Sequence, residues 1–139
     1  MPPPEPPRIT SRARRVIVFE TETQVADLAI KTPLDTYKIP KEIALKKLIL
    51  LQEMQNSERI TDGVAQIDLE FPEQCHEFFM WIVYEDTEMM FEHMKTSLGY
   101  DLKSLIELYY LSTQLKFVEG PLLQEHILKR VQINYNVIH

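Results

Sequence analysis

Cys75 and His76 are the pair in this chain whose side-chain types could do the most chemistry, as a thiolate activated by an imidazole. They are adjacent, however, and neighbours on a helix diverge by about 100°, so they do not face each other. Cys75 also falls on the apolar face of its segment, where it reads as a small buried hydrophobe. His93 stands beside Glu92, but no second ligand follows at i+4 and no cysteine pair exists, so the spacing of a zinc site is missing. Three glycines in the whole chain cannot build a phosphate-binding loop, and no Gly-x-Ser-x-Gly elbow occurs. The residues therefore read as those of a non-enzyme without cofactor or metal.

Residue types suited to binding are better represented. Tyr109, Tyr110, Leu111 and Phe117, joined by Leu122 and Leu123, exceed what one helix face can bury. Aromatic side chains anchor protein interfaces because they bury much area with few rotors. Tyr110 and Phe117 are expected to be the most exposed of this set. Met89, Met90, Phe91 and Met94 form a second apolar group in an acidic segment, where they either pack under a long connection or give the methionine-rich surface that suits adaptable binding. A third group is basic: Arg8, Arg12, Arg14 and Arg15 lie in a proline-rich N-terminal arm.

The charge is divided between that arm and the rest. Residues 1–15 carry +3 and the remainder −9, for a net −6. An acidic body excludes a broad nucleic-acid surface, since phosphate backbones are bound by clustered Lys and Arg. Only the arm could touch nucleic acid or act as a nuclear localisation signal. A single cysteine rules out an intramolecular disulfide and fits a reducing compartment. With no apolar run of signal or transmembrane length, the expected location is cytoplasm or nucleus, away from membranes.

Several elements must position these groups. Residues 1–13 hold five prolines and no apolar cluster, and are expected to be disordered. Val16 to Phe19 is a β-prone run, and residues 25–31 and 36–39 flank a turn at Pro33 as a hairpin. Lys41 to Gln55 has the apolar periodicity of one helix, opening near Pro40. Asn56 to Gly63 reads as a loop, and Val64 to Phe71 alternates as a strand. Helices follow from Pro72, briefly within the long connection Glu85 to Leu98, from an N-cap at Asp101 through Leu115, and from Leu122 to Gln132. Ile133 to His139 is an apolar tail, and its Ile133 to Ile138 is short, β-prone and uncharged, suited to a sheet edge or a partner strand, or else a frayed terminus. The fold class is α+β, with a short mixed sheet flanked by a cluster of about five helices.

The order hairpin, helix, strand, helix, closing helix pair resembles the BTB/POZ superfamily, and most of all its branch of SKP adaptors and elongin C. Three segments carry the resemblance. Leu28 to Ala44 is similar to that branch's hairpin and first helix. Gly63 to Tyr84 is similar to its next strand and a helix bearing Trp81. Asp101 to Val131, with Leu105-Ile106-Glu107-Leu108, Leu115-Lys116-Phe117 and Leu122-Leu123, is similar to its closing pair. The strand at Val16 to Phe19 resembles the additional strand of dimeric BTB domains. Residues 1–15 are then an arm, 16–132 the BTB/POZ-like domain and 133–139 a tail. The resemblance implies a non-catalytic adaptor joining a partner protein to a cullin ubiquitin ligase, with a substrate receptor as the other partner. It implies a cullin contact near Met89 to Met94, and either a monomer within a complex or a homodimer. The alternative is a structural or oligomerisation module of a nuclear or nucleoprotein complex, with the arginine arm making the charged contact.

Overall fold

The computed structural model describes residues 14–84, 88–89 and 102–138. Ten elements are described: strands β1 (Arg15–Val18), β2 (Leu28–Lys31), β3 (Asp35–Ile39), β4 (Ile60–Thr61) and β5 (Val64–Gln66), and helices α1 (Lys41–Lys47), α2 (Ile49–Asn56), α3 (Pro72–Tyr84), α4 (Leu102–Gln114) and α5 (Gly120–Ile138). The fold is α+β, with one five-stranded mixed sheet in the order β1-β3-β2-β5-β4. The β2–β3 hairpin is antiparallel, while β1 joins β3 and β5 joins β2 in parallel.

Alternation along the central strands decides which face is covered. Leu28, Ile30, Tyr37, Ile39 and Ala65 are buried, whereas Lys31, Lys38, Val64 and Gln66 face solvent. The buried face meets Phe78 and Phe79 of α3 and Leu105, Leu108 and Leu111 of α4 in one core. Burial of this kind is the main favourable term in folding. The hairpin turn is closed by Thr32, whose Oγ donates to the Asp35 carbonyl at 2.7 Å and accepts the Asp35 N–H at 3.0 Å. Pro40 begins α1 as expected, and the Asp27 carboxylate accepts the Lys41 N–H at 2.7 Å, satisfying one orphan donor of the helix start.

Five local expectations are corrected. The helix over Lys41 to Gln55 is two helices, because Leu48 is extended (φ −120°, ψ 106°) and bridges to Phe117. The groups freed by that break are satisfied by the α4–α5 turn: Ile49 N–H donates to the Lys116 carbonyl at 2.9 Å, and Val118 N–H to that of Lys47 at 2.9 Å. The loop Asn56 to Gly63 contains β4, turned into β5 by Asp62 and Gly63, both with positive φ as a two-residue hairpin requires. The strand Val64 to Phe71 ends at Gln66, because its partner β2 ends at Lys31; the Ile67 N–H makes the last bond to that strand, to the Lys31 carbonyl at 3.0 Å, and Ile67 and Leu69 stay buried beyond it. The tail at Ile133 is a helix to Ile138, since an anchored helix gains a bond with each residue added. Arg15 belongs to β1 rather than to the arm.

Candidate interaction surface

Helix α4 explains why its apolar residues divide into two sets. Leu105, Leu108, Leu111 and Ser112 turn into the core, and Leu115, just past the helix end, is buried with them. Leu102, Ile106 and Tyr110 recur at i, i+4 and i+8, so they share one stripe on the outward side. Ile106 is 55% and Tyr110 52% exposed. The Tyr110 ring stands edge-on to Phe71 at 5.8 Å. Phe71 has φ +61°, a left-handed conformation costly for a bulky residue and held just ahead of Pro72. An open groove of about 400 Å³ runs along α5 from Tyr109 and Pro121 past Gln124 and Leu128 to Gln132. Gln124 ties α5 to α4 by donating to Thr113 Oγ1 at 3.0 Å and Ser112 Oγ at 3.4 Å.

The six residues of the first binding group do not form one surface. Tyr110 and Leu122 are exposed, and Tyr109 is half-buried. Leu111, Phe117 and Leu123 are core residues, and the expected exposure of Phe117 is corrected: it is 3% exposed and packs edge-to-face on Phe78 at 5.2 Å. The cause is the end of α4. Lys116 takes φ +53°, its N–H donates to the Thr113 carbonyl, and the Phe117 N–H reaches back to that of Ser112 at 3.0 Å. This is the Schellman arrangement, which folds the following hydrophobic residue onto the helix. A glycine usually marks it; here a lysine occupies the left-handed position and left no signal. Ile106 and Leu102, not among the expected anchors, complete the exposed stripe, and their spacing of four was the readable sign.

In the second group Met89 is exposed, while Met90, Phe91 and Met94 lie outside the described residues. Of the basic group, Arg8 and Arg12 also lie outside them, and Arg14 is exposed. Arg15 is held to the fully buried Asp35, with Nη2 3.1 Å from Oδ2, and with its Nε and backbone N–H each 3.3 Å from Oδ1. This hydrogen bonding and the carboxylate charge raise the Arg15 pKa. The guanidinium is thus spent on the fold.

Cys75 is buried, with Sγ 3.1 Å from the Glu70 carbonyl oxygen. Burial pushes its thiol up to about 12, far from the range of a nucleophilic cysteine. Burial raises Tyr37 as well, with the neighbouring thiol and Asp35 adding to it. The His76 ring turns to Phe19 at 5.2 Å. Among the described residues, no group of three or more His, Cys, Asp or Glu is placed to hold a metal ion, and no helix is long and apolar enough to cross a membrane. Comparison with models of known protein families and with curated proteins finds no match to this chain.

Proposed function

We propose that this chain is a non-catalytic protein-interaction adaptor of BTB/POZ type, joining a partner protein to a cullin ubiquitin ligase. The observation that carries the reading is the stripe Leu102, Ile106 and Tyr110, three large apolar side chains left in solvent on one helix. Contiguous exposed apolar surface marks sites of association, and a tyrosine at its edge is a typical anchor. The order of elements supports the class: a β2–β3 hairpin, the α1–α2 pair, a β5 strand parallel to β2, then α3 and the α4–α5 pair. Met89, exposed and remote in sequence from the stripe, is suited to a second contact, as an adaptor with two partners requires.

The test is calorimetry of the purified full chain against a panel of cullin N-terminal domains, followed by Ile106→Asp and Tyr110→Ala variants in pull-downs of candidate substrate receptors. The expected result is one cullin bound, with receptor capture lost in both variants while the circular dichroism spectrum is unchanged. No binding to any cullin would sink the ligase reading. Receptor capture indifferent to both substitutions would remove α4 as the interface.

A further inference from the structure

The sheet has one face against the core and one face bare, and the bare face carries charge of a single sign. The register sets Val18, Lys38, Ala29 and Val64 side by side across β1, β3, β2 and β5, with Val16, Thr36, Lys31 and Gln66 as the next row. Among the described residues these rows stay in solvent: Val16, Val18 and Val64 are 59%, 47% and 37% exposed, and both lysines are exposed. No carboxylate of the five strands stands there, since Asp35 is buried on the other face. Lys31 and Lys38 are diagonal neighbours across the β2–β3 pair, with Cα atoms about 7–8 Å apart. Among the described residues neither has an ion-pair partner. The chain as a whole carries −6, so a face of unpaired cations and exposed valines is set apart from the rest of its surface.

We propose that this bare face binds one α-helix of a partner protein, a helix whose apolar stripe is flanked on both sides by carboxylates. The four residues facing out from the centre of the β2–β3 pair give the shape. Thr36 and Ala29, the small side chains, occupy one diagonal of that block, and Lys38 and Lys31 the other. A helix laid along the Thr36–Ala29 diagonal has Val16 and Lys38 on one flank and Val64 and Lys31 on the other. Each flank thus offers a valine to the stripe and a cation to a carboxylate beside it. Over Ala29 an open hollow of about 250 Å³, lined also by Lys38, Gly63 and Val64, can seat one large apolar side chain. The two ends of the track differ in sign. Arg14, exposed one residue before β1, extends the diagonal at one end, and Asp62, on the rim of the hollow, extends it at the other. The helix dipole then directs the C-terminus of the bound helix to Arg14 and its N-terminus to Asp62. At about 8 Å per diagonal step the track is about 25 Å long, the length of about 16 helical residues. An anionic membrane offers the same charge, but the acidic body of the chain and Asp62 on the rim oppose a flat sheet of headgroups. The face lies on the side of the sheet turned from the core, so the proposal depends neither on the α4 stripe nor on the adaptor reading.

The test titrates the isotope-labelled full chain with a synthetic helix of about 16 residues that carries a leucine stripe with glutamate on both flanks. A second peptide has lysine in place of every glutamate. The glutamate peptide is expected to bind with a Kd below about 1 mM, moving the amide signals of Ala29, Lys31, Thr36 and Lys38, and the lysine peptide to bind at least about tenfold more weakly. Lys31→Glu and Lys38→Glu should each weaken the glutamate peptide about fivefold, and the double variant should prefer the lysine peptide. Ala29→Leu, which fills the hollow, should weaken the glutamate peptide with the circular dichroism spectrum unchanged. No binding of that peptide up to about 1 mM overturns the proposal. Equal binding of the two peptides does so as well, and so do moved amides confined to α4. Capture by phosphatidylserine vesicles that is lost in the two lysine variants would also overturn it, by making the face a lipid contact.

Discussion

Truncating Phe117 to alanine separates a core role from an interface role at the residue whose position differs most from its sequence reading. The ring is 3% exposed, stands edge-to-face on Phe78 at 5.2 Å, and is folded back by the end of α4 beside the bridge to Leu48. Removing such a ring loses the transfer energy of its buried area, leaves a cavity, and breaks an aromatic pair. Together these amount to about 4 kcal/mol. Tyr110, half in solvent with Phe71 as its ring neighbour at 5.8 Å, should lose about 1 kcal/mol or less on the same truncation. Urea unfolding followed by circular dichroism reads both. With a slope of about 2 kcal/mol per molar, Phe117→Ala should lower the midpoint by about 2 M and Tyr110→Ala by at most about 0.5 M. A Phe117→Ala cost below about 1 kcal/mol, with an unchanged slope, would refute its place in the core. The same reasoning makes Phe117→Asp unusable as an interface probe, because a charge there has no solvent to reach.

Arg15→Ala should lower the melting temperature, because it leaves the buried Asp35 carboxylate without its guanidinium; adding Asp35→Asn should recover part of the loss. A double variant no more stable than Arg15→Ala in a thermal melt would show that the pair does not hold β1. Alkaline pH should destabilise the fold from about pH 9 upward. The Cys75 thiol keeps its proton in the folded chain to about 12 against an ordinary 9.0, so between these values the folded state binds the proton that the unfolded state has lost. Stability is full below that window and falls by at most about 1.4 kcal/mol per pH unit within it, with Tyr37 adding to the slope only above its ordinary 10.0. Urea midpoints at about pH 8 and 9.8 should differ more for the wild type than for Cys75→Ala; equal differences would remove the thiol as the cause.

The sequence by itself determined the elements whose signals are local. Alternation predicted the β2–β3 hairpin around Pro33, the helical spacing of α3 and α4 held to within a residue or two, and the α+β class followed from their order. It also determined that Cys75 lies on a buried face, because Phe78, Phe79 and Ile82 repeat with it at helical spacing. The Asp62-Gly63 turn, with positive φ at both positions, went unread inside the loop expected over Asn56 to Gly63.

Only the tertiary structure decided the rest, because each case depends on a partner distant in the chain. Leu48 leaves the helical conformation since the turn at Lys116 to Val118 can take the freed hydrogen bonds, and no periodicity records that exchange. Arg15 becomes a strand residue through Asp35, twenty positions away. Which of the α4 leucines and tyrosines face the core depends on where α3 and the sheet stand. That placement buried Leu105, Leu108 and Leu111 and left Ile106 and Tyr110 in solvent, although all five are large and apolar. A helix pattern fixes which residues share a face; only packing chooses the face that meets water.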